Sequence, residues 1–250
     1  MPNTYKKPFL SQVIFQANYN IPVLKIDVPP RLREICTALT KKEIKEVKNS
    51  NININYVPNL PITTELNTKW IFDGEELLIT IQHDLIQIVN LKYTNYFDFH
   101  KIIAQVFETV RELYDPIITR IALRYVNNIA FPTGGTYDFG NLIDNNLLTG
   151  LIKFKDYGLQ RSVGQMILKN DQDDINVMFT YGFNNSQFPN KITKREFLLD
   201  YDCFCVYSNP TEKITAITDT LLKIRNQVND LFEKSILDGL RQIMNQNEPA

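Results

Sequence analysis

One tryptophan, two histidines, three cysteines and nine glycines in 250 residues leave little material for several common chemistries. His83 and His100, with no Cys-x-x-Cys pair beside them, do not supply the clustered ligands that zinc or iron requires. His83 precedes Asp84 at a strand turn, and His100 lies on a helix beside Phe99, so both read as surface residues and no metal is expected. The glycines include Gly134-Gly135 but no Gly-x-Gly-x-x-Gly and no Gly-Lys-Ser/Thr. A dinucleotide fingerprint and a phosphate loop are therefore absent, and no cofactor is expected. No Gly-x-Ser-x-Gly elbow or supported Ser-x-x-Lys appears either, so no catalytic residue is assigned.

Charge of one sign is also missing. With 27 basic and 28 acidic side chains the net charge is −1, which supplies no basic field for nucleic acid or an anionic membrane. No apolar run approaches the roughly 18–20 residues that a spanning helix needs. Met1 to Leu10 carries Lys6, Lys7 and Pro8 rather than a signal core. Cys203 and Cys205 share one strand face, where neighbours of that kind rarely bridge, and Cys36 stands alone. Free thiols and a soluble, cytoplasmic protein are expected.

What remains is an ordinary globular composition, 44% hydrophobic and 22% charged, with 15 phenylalanines and 12 tyrosines to fill sheet faces. Leu10 to Tyr19 alternates as a strand. Arg31 to Lys48 places Leu32, Ile35, Leu39, Ile44 and Val47 near helical spacing, as one helix broken near Thr40 or as two short ones. Asn49 to Thr68, Asn-rich with Pro58 and Pro61, reads as loop with at most an isolated edge strand. Trp70–Phe72, Leu77–His83 and Leu85–Tyr93 form a meander around the Asp73-Gly74 turn. Tyr96–Tyr114 is an amphipathic helix, and Ile117–Phe131 a long strand.

The second half repeats that order. A short helical segment within Asn141–Leu148 leads to strands Leu159–Lys169, Ile175–Phe183 and Thr193–Tyr207. A helix from Thr211 to Met244 follows, with Asn209 as cap, Pro210 at its first position and Glu212 as capping-box carboxylate. The expected fold is α+β: mostly antiparallel sheet in two pseudo-repeats, residues 1–116 and 117–250, forming one compact unit with a long terminal helix.

Two strands carry polar residues in a telling register. One face of Ile117–Phe131 holds Arg120, Arg124 and Asn128, and one face of Thr193–Tyr207 holds Asp200 and Asp202. Two accounts stand open. Arg124 pairs with Asp200 or Asp202 across the sheet and fixes its register. Alternatively Arg120, Arg124, Asn128, Asp200 and Asp202 line an open face that binds an anionic or mixed-charge ligand. Asp171, Asp173 and Asp174 cluster with Asn170 at a hairpin tip, which is the composition of a solvated turn.

The last helix has apolar residues to its end. Leu231, Phe232, Ile236, Leu240 and Ile243 exceed what its own sheet should cover, which predicts a homodimer through this helix. A kink at Ser235–Gly239, folding the last turns back onto the body, is the competing outcome.

Three patches carry a resemblance: Tyr5-Lys6-Lys7-Pro8-Phe9-Leu10, Leu123-Arg124-Tyr125-Val126-Asn127-Asn128-Ile129, and Leu199-Asp200-Tyr201-Asp202-Cys203-Phe204 with the helix containing Leu231 to Ile236. Together they resemble an uncharacterised, sporadically distributed bacterial family of about this length. Asn128 and Leu237 depart from its pattern, which often has a basic or bulky residue at the first and threonine at the second. The resemblance brings no activity. Its patchy distribution implies accessory genes such as phage-defence or toxin-control systems. The expected function is a non-enzymatic binding or scaffold protein with a protein partner. The alternative is a small-ligand-binding enzyme or sensor whose site lies on the polar sheet face.

Overall fold

The computed structural model describes residues 5–20, 28–53, 63–207 and 217–245. The fold is α+β. Nine strands form one sheet in the order β2-β3-β4-β5-β1-β6-β9-β8-β7. They are β1 (Leu10–Asn20), β2 (Lys45–Asn53), β3 (Thr63–Asp73), β4 (Leu77–Ile81), β5 (Leu85–Asn90), β6 (Ile117–Phe131), β7 (Ser162–Asn170), β8 (Ile175–Phe183) and β9 (Arg195–Val206). The helices are α1 (Pro30–Thr40), α2 (Tyr96–Tyr114), α3 (Asn145–Leu148), α4 (Ile217–Ser235) and α5 (Asp238–Asn245). The chain divides into two compact units. One comprises Ile14–Ile121 with Val206–Thr215, the other Met1–Val13, Ala122–Cys205 and Ala216–Ala250.

In the first unit the antiparallel meander β2-β3-β4-β5 is backed by α1 and α2. Phe99, Ile103, Val106, Phe107 and Val110 of α2 are all buried, and Phe107 meets Phe15 of β1 edge-on at 6.1 Å. The helix starts where expected because Asn95 accepts from the Asp98 N–H at 3.0 Å and donates to its carboxylate at 2.7 Å. It stops at Asp115, which adopts a left-handed conformation with φ 41°.

Two expectations need correction here. The helical pattern over Arg31–Lys48 ends at Thr40, where Lys41 turns left-handed with φ 56° and its N–H returns to the Thr37 carbonyl. Lys45 onward is strand instead. Leu32, Cys36 and Thr40 form the buried stripe, four residues apart, rather than a stripe running on to Val47. The Asn-rich segment is likewise not loop where described: β2 and β3 pair antiparallel from Lys45↔Ile71 to Asn53↔Thr63. Asparagine disfavours strands, but a ladder of backbone bonds satisfies the chain whatever the side chains prefer. Pro58 and Pro61 lie outside the described residues.

The second unit is organised around rings. Phe139, Phe183 and Phe197 touch pairwise at 5.2–5.9 Å, and Phe179 stacks on Tyr201 at 4.6 Å with the planes 3° apart. Tyr201 meets Phe232 of α4 at 6.4 Å, and Tyr5 meets the same ring at 6.2 Å while its hydroxyl donates to Glu233 at 2.6 Å.

The expected single terminal helix is two helices. α4 ends at Ser235 and α5 begins at Asp238; between them Ile236 bridges to Ile143 and the Leu237 N–H bonds the Leu142 carbonyl at 2.9 Å. Gly239 makes the close approach possible, because a Cβ there would sit 2.4 Å from the Asn141 carbonyl oxygen. The capping residues Asn209, Pro210 and Glu212 lie outside the described residues.

Candidate functional site

The sheet register defines one face of the second unit. The β7–β8 and β8–β9 pairings set Gln165 beside Thr180 and Thr180 beside Asp200, with Ile167, Met178 and Asp202 forming the next row. Side chains on this face point away from the Phe179–Tyr201 stack, whose residues occupy the alternate positions of β8 and β9. Gln165 donates toward the Thr180 hydroxyl at 3.4 Å.

Arg124 completes the row from β6. Its Nε donates to Asp200 Oδ1 at 2.8 Å and its Nη2 to Oδ2 at 2.6 Å, a bidentate fork. The Asp200 side chain is 9% exposed and that of Arg124 42%. Hydrogen bonding to Asp200 holds the guanidinium above its ordinary value against the cost of desolvation, and the Asp200 and Asp202 charges add to that. Nη1 takes no part in the fork, so one edge of a fixed arginine remains directed to its surroundings.

The five polar candidates do not form one cluster. Arg124 and Asp200 are joined directly, and Asp202 lies on the same face of β9 two residues on. Asn128 is exposed and sits four residues from Arg124, roughly 13 Å along the strand. It lines a small cavity of about 170 Å³ with Ser11, Ser186 and Glu196. Arg120 is half-buried and belongs to the other unit. Of the five apolar candidates, Ile236 is 2% exposed and Leu240 wholly buried, while Leu231, Phe232 and Ile243 are half-buried. The apolar stripe is thus largely covered by the chain itself.

Several buried polar groups escaped the sequence. Glu196 is 6% exposed and its carboxylate accepts from the Ser186 N–H. Asn185, with φ 56°, donates to the Gln160 and Asn190 carbonyls, each at 2.7 Å. Arg195 lies over the rings of Phe131 and Phe139 and donates to the carbonyls of Asp138 and Thr133. These groups tie loops to strands, and no local motif distinguishes such a role from catalysis in advance.

A larger cavity, about 540 Å³, lies in the first unit at the end of α1. Lys41, Lys42 and Lys92 face Glu75, Glu76 and Asp98 around it, with Phe99 and Leu77 among the apolar lining. Lys92 and Glu76 pair at 2.6 Å, and that bond holds the exposed Glu76 carboxyl below its usual range.

All three cysteines are free and buried. Burial pushes the Cys36 thiol up to about 12 and the Cys205 thiol up to about 11, and raises Cys203 further. At pH 8 roughly one Cys205 in a thousand would be thiolate. Ellman's reagent should therefore find almost no reactive thiol in the native protein at pH 8 and three after unfolding in guanidinium. Rapid native labelling would show that a thiol is open to solvent. Among the described residues no group of three or more His, Cys, Asp or Glu side chains is placed to hold a metal ion. No helix among them is long and apolar enough to cross a membrane.

No protein-family model matches the chain, and no curated protein matches it.

Proposed function

We propose that this protein is a non-enzymatic binding module that presents the polar sheet face around Arg124 to a protein partner. The observation that carries this is the Arg124–Asp200 fork. The Arg124 cation on that face is engaged with a nearly buried carboxylate and joins β6 to β9. A guanidinium so held is a rigid donor suited to a carbonyl or carboxylate of a partner rather than to proton transfer. The raised thiols point the same way, since a buried, protonated cysteine is a poor nucleophile. The resemblance supplies the setting: an accessory component of a bacterial phage-defence or toxin-control system. A homodimer through the C-terminal helix has less apolar surface to draw on, because Ile236 and Leu240 are covered.

A small-ligand sensor is the second reading, favoured by the cavity of about 540 Å³ with its opposed lysines and carboxylates.

The test pairs a phenotype with a melting curve. Bacteria carrying the chain with its neighbouring genes are challenged with phage, or with the toxin of the same locus. Asn128→Asp, on the exposed end of the face, should abolish protection while moving Tm by no more than about 1 °C, since surface substitutions cost little. Protection that survives this variant but fails on Lys92→Glu would transfer the function to the cavity.

A further inference from the structure

We infer that the β7 edge is a self-pairing surface, joining two copies of this chain through antiparallel β7–β7 contact about a twofold axis. The inference goes beyond the partner-binding face proposed above and stands on other residues.

β7 is last in the strand order, and its one ladder is with β8. Among the described residues, no backbone bond from another segment reaches Ser162–Asn170. An edge of this kind offers a row of unpaired N–H and C=O groups to any extended chain. Proteins usually blunt such edges with charge, and the opposite edge conforms: β2 begins Lys45-Glu46-Val47-Lys48. β7 does the reverse. Val163, Met166, Ile167 and Leu168 are 40, 37, 81 and 38% exposed, and Lys169 is the only charge in its nine residues. Apolar side chains stand on both faces of the strand, so no single layer of this chain could cover them.

The sequence around β7 fits a second copy of itself. With the axis through Met166, every residue from Ser162 to Asn170 is paired: Gln165 faces Ile167 of the second copy, Gly164 faces Leu168, and Val163 faces Lys169. Just beyond the ends, Arg161 falls opposite Asp171 of the second copy, twice by symmetry. Both are exposed. The Arg161 guanidinium lies over the Phe188 ring at 4.5 Å and its Nε donates to the Asn184 carbonyl at 2.9 Å, which holds the charge in place.

Other registers are worse. A twofold axis normal to the sheet keeps each face continuous, so slips occur in steps of two residues. One step sets Arg161 against Lys169, like against like. A step the other way leaves Ser162 and Val163 of each copy unpaired. Charge thus disfavours the first slip and strand length the second, and the stated register is the one that pairs all nine residues of β7 while setting Arg161 against Asp171.

The test is the mass of the full chain in solution by sedimentation equilibrium across the micromolar range, read with Tm. The wild type should reach twice its 29.1 kDa chain mass. Ile167→Lys should return it to monomer without lowering Tm, because the side chain is 81% exposed. Arg161→Glu should raise the dimer dissociation constant roughly tenfold, and adding Asp171→Arg to it should restore the parent value, since the swap re-forms both pairs. A monomer at all concentrations would overturn the proposal. So would a dimer untouched by Ile167→Lys, or one broken only by Phe232→Glu. Phage protection plays no part in this readout, so its loss or survival reports on the sheet face separately.

Discussion

Leu240→Glu is expected to lower Tm by about 10 °C, and the loss should be the same at every protein concentration. Leu240 is wholly buried in α5, so removing it forfeits about 3 kcal/mol of packing and burial, and the carboxylate adds a desolvation cost of its own. At about 2–4 °C per kcal/mol for a chain of this size, a total near 4 kcal/mol gives the stated shift. The adjacent Arg241 is already engaged by Glu233 and Asp238, so the new charge gains no uncommitted partner from it. Thermal melting followed by circular dichroism measures it. A variant that melts like the parent but changes only the particle mass would mean that Leu240 faces a partner, contrary to its place in the fold.

Gly182→Val should cost about 3 kcal/mol, and the damage should centre on the β7–β8 hairpin. Gly182 has φ 133°, a region that β-branched residues avoid, and a Cβ there would sit 2.3 Å from the Ser162 carbonyl oxygen and 3.1 Å from Val163 Cα. Both obstacles are backbone of the paired strand, so no side-chain rotation clears them. Hydrogen exchange should show Ser162–Asn170 losing protection first, while α2 in the other unit keeps its own. Uniform loss across both units would show that they unfold as one.

Much of this architecture was legible in the residues. The helix Tyr96–Tyr114 and the strands Ile117–Phe131 and Ile175–Phe183 coincide with the structure at both ends because periodicity and stop signals agree there. Asp115-Pro116 ends one element and starts the next. The failures have a common cause, which is that tertiary pairing decided them. Lys45–Asn53 has a weak local preference and becomes a strand because β3 lies beside it. The terminal helix breaks within Ser235–Gly239, the competing outcome of the sequence reading rather than the leading one, because Gly239 lets the chain approach Asn141, a contact about a hundred residues away in sequence.

The site divides similarly. Alternation along β6 and β9 placed Arg124 and Asp200 on polar strand faces, and their pairing was one of two accounts left open. Which aspartate Arg124 would choose was not legible, since Asp200 and Asp202 share a face and differ only in register. Glu196, Asn185 and Arg195 were not among the candidates, although alternation sets Glu196 on the same face of β9 as Asp200. Their partners are backbone groups of loops five to 57 residues away, which leave no pattern that marks the side chain binding them.

The central claim is that Arg124 belongs to the framework of a binding face and is not a group that acts on a substrate. Its most direct measurement is the stability of Arg124→Ala, Asp200→Ala and the double variant, taken as a cycle. Arg124→Ala leaves a carboxylate 9% exposed without its fork, and should cost about 2 kcal/mol, less than a fully buried pair because the guanidinium is partly in water. The double variant should cost distinctly less than the sum of the two single ones, with a coupling of about 1–2 kcal/mol. Additive losses would contradict the account. So would an Arg124→Ala protein that melts like the parent yet loses its phenotype or a bound small molecule, because the arginine would then be reserved for a ligand.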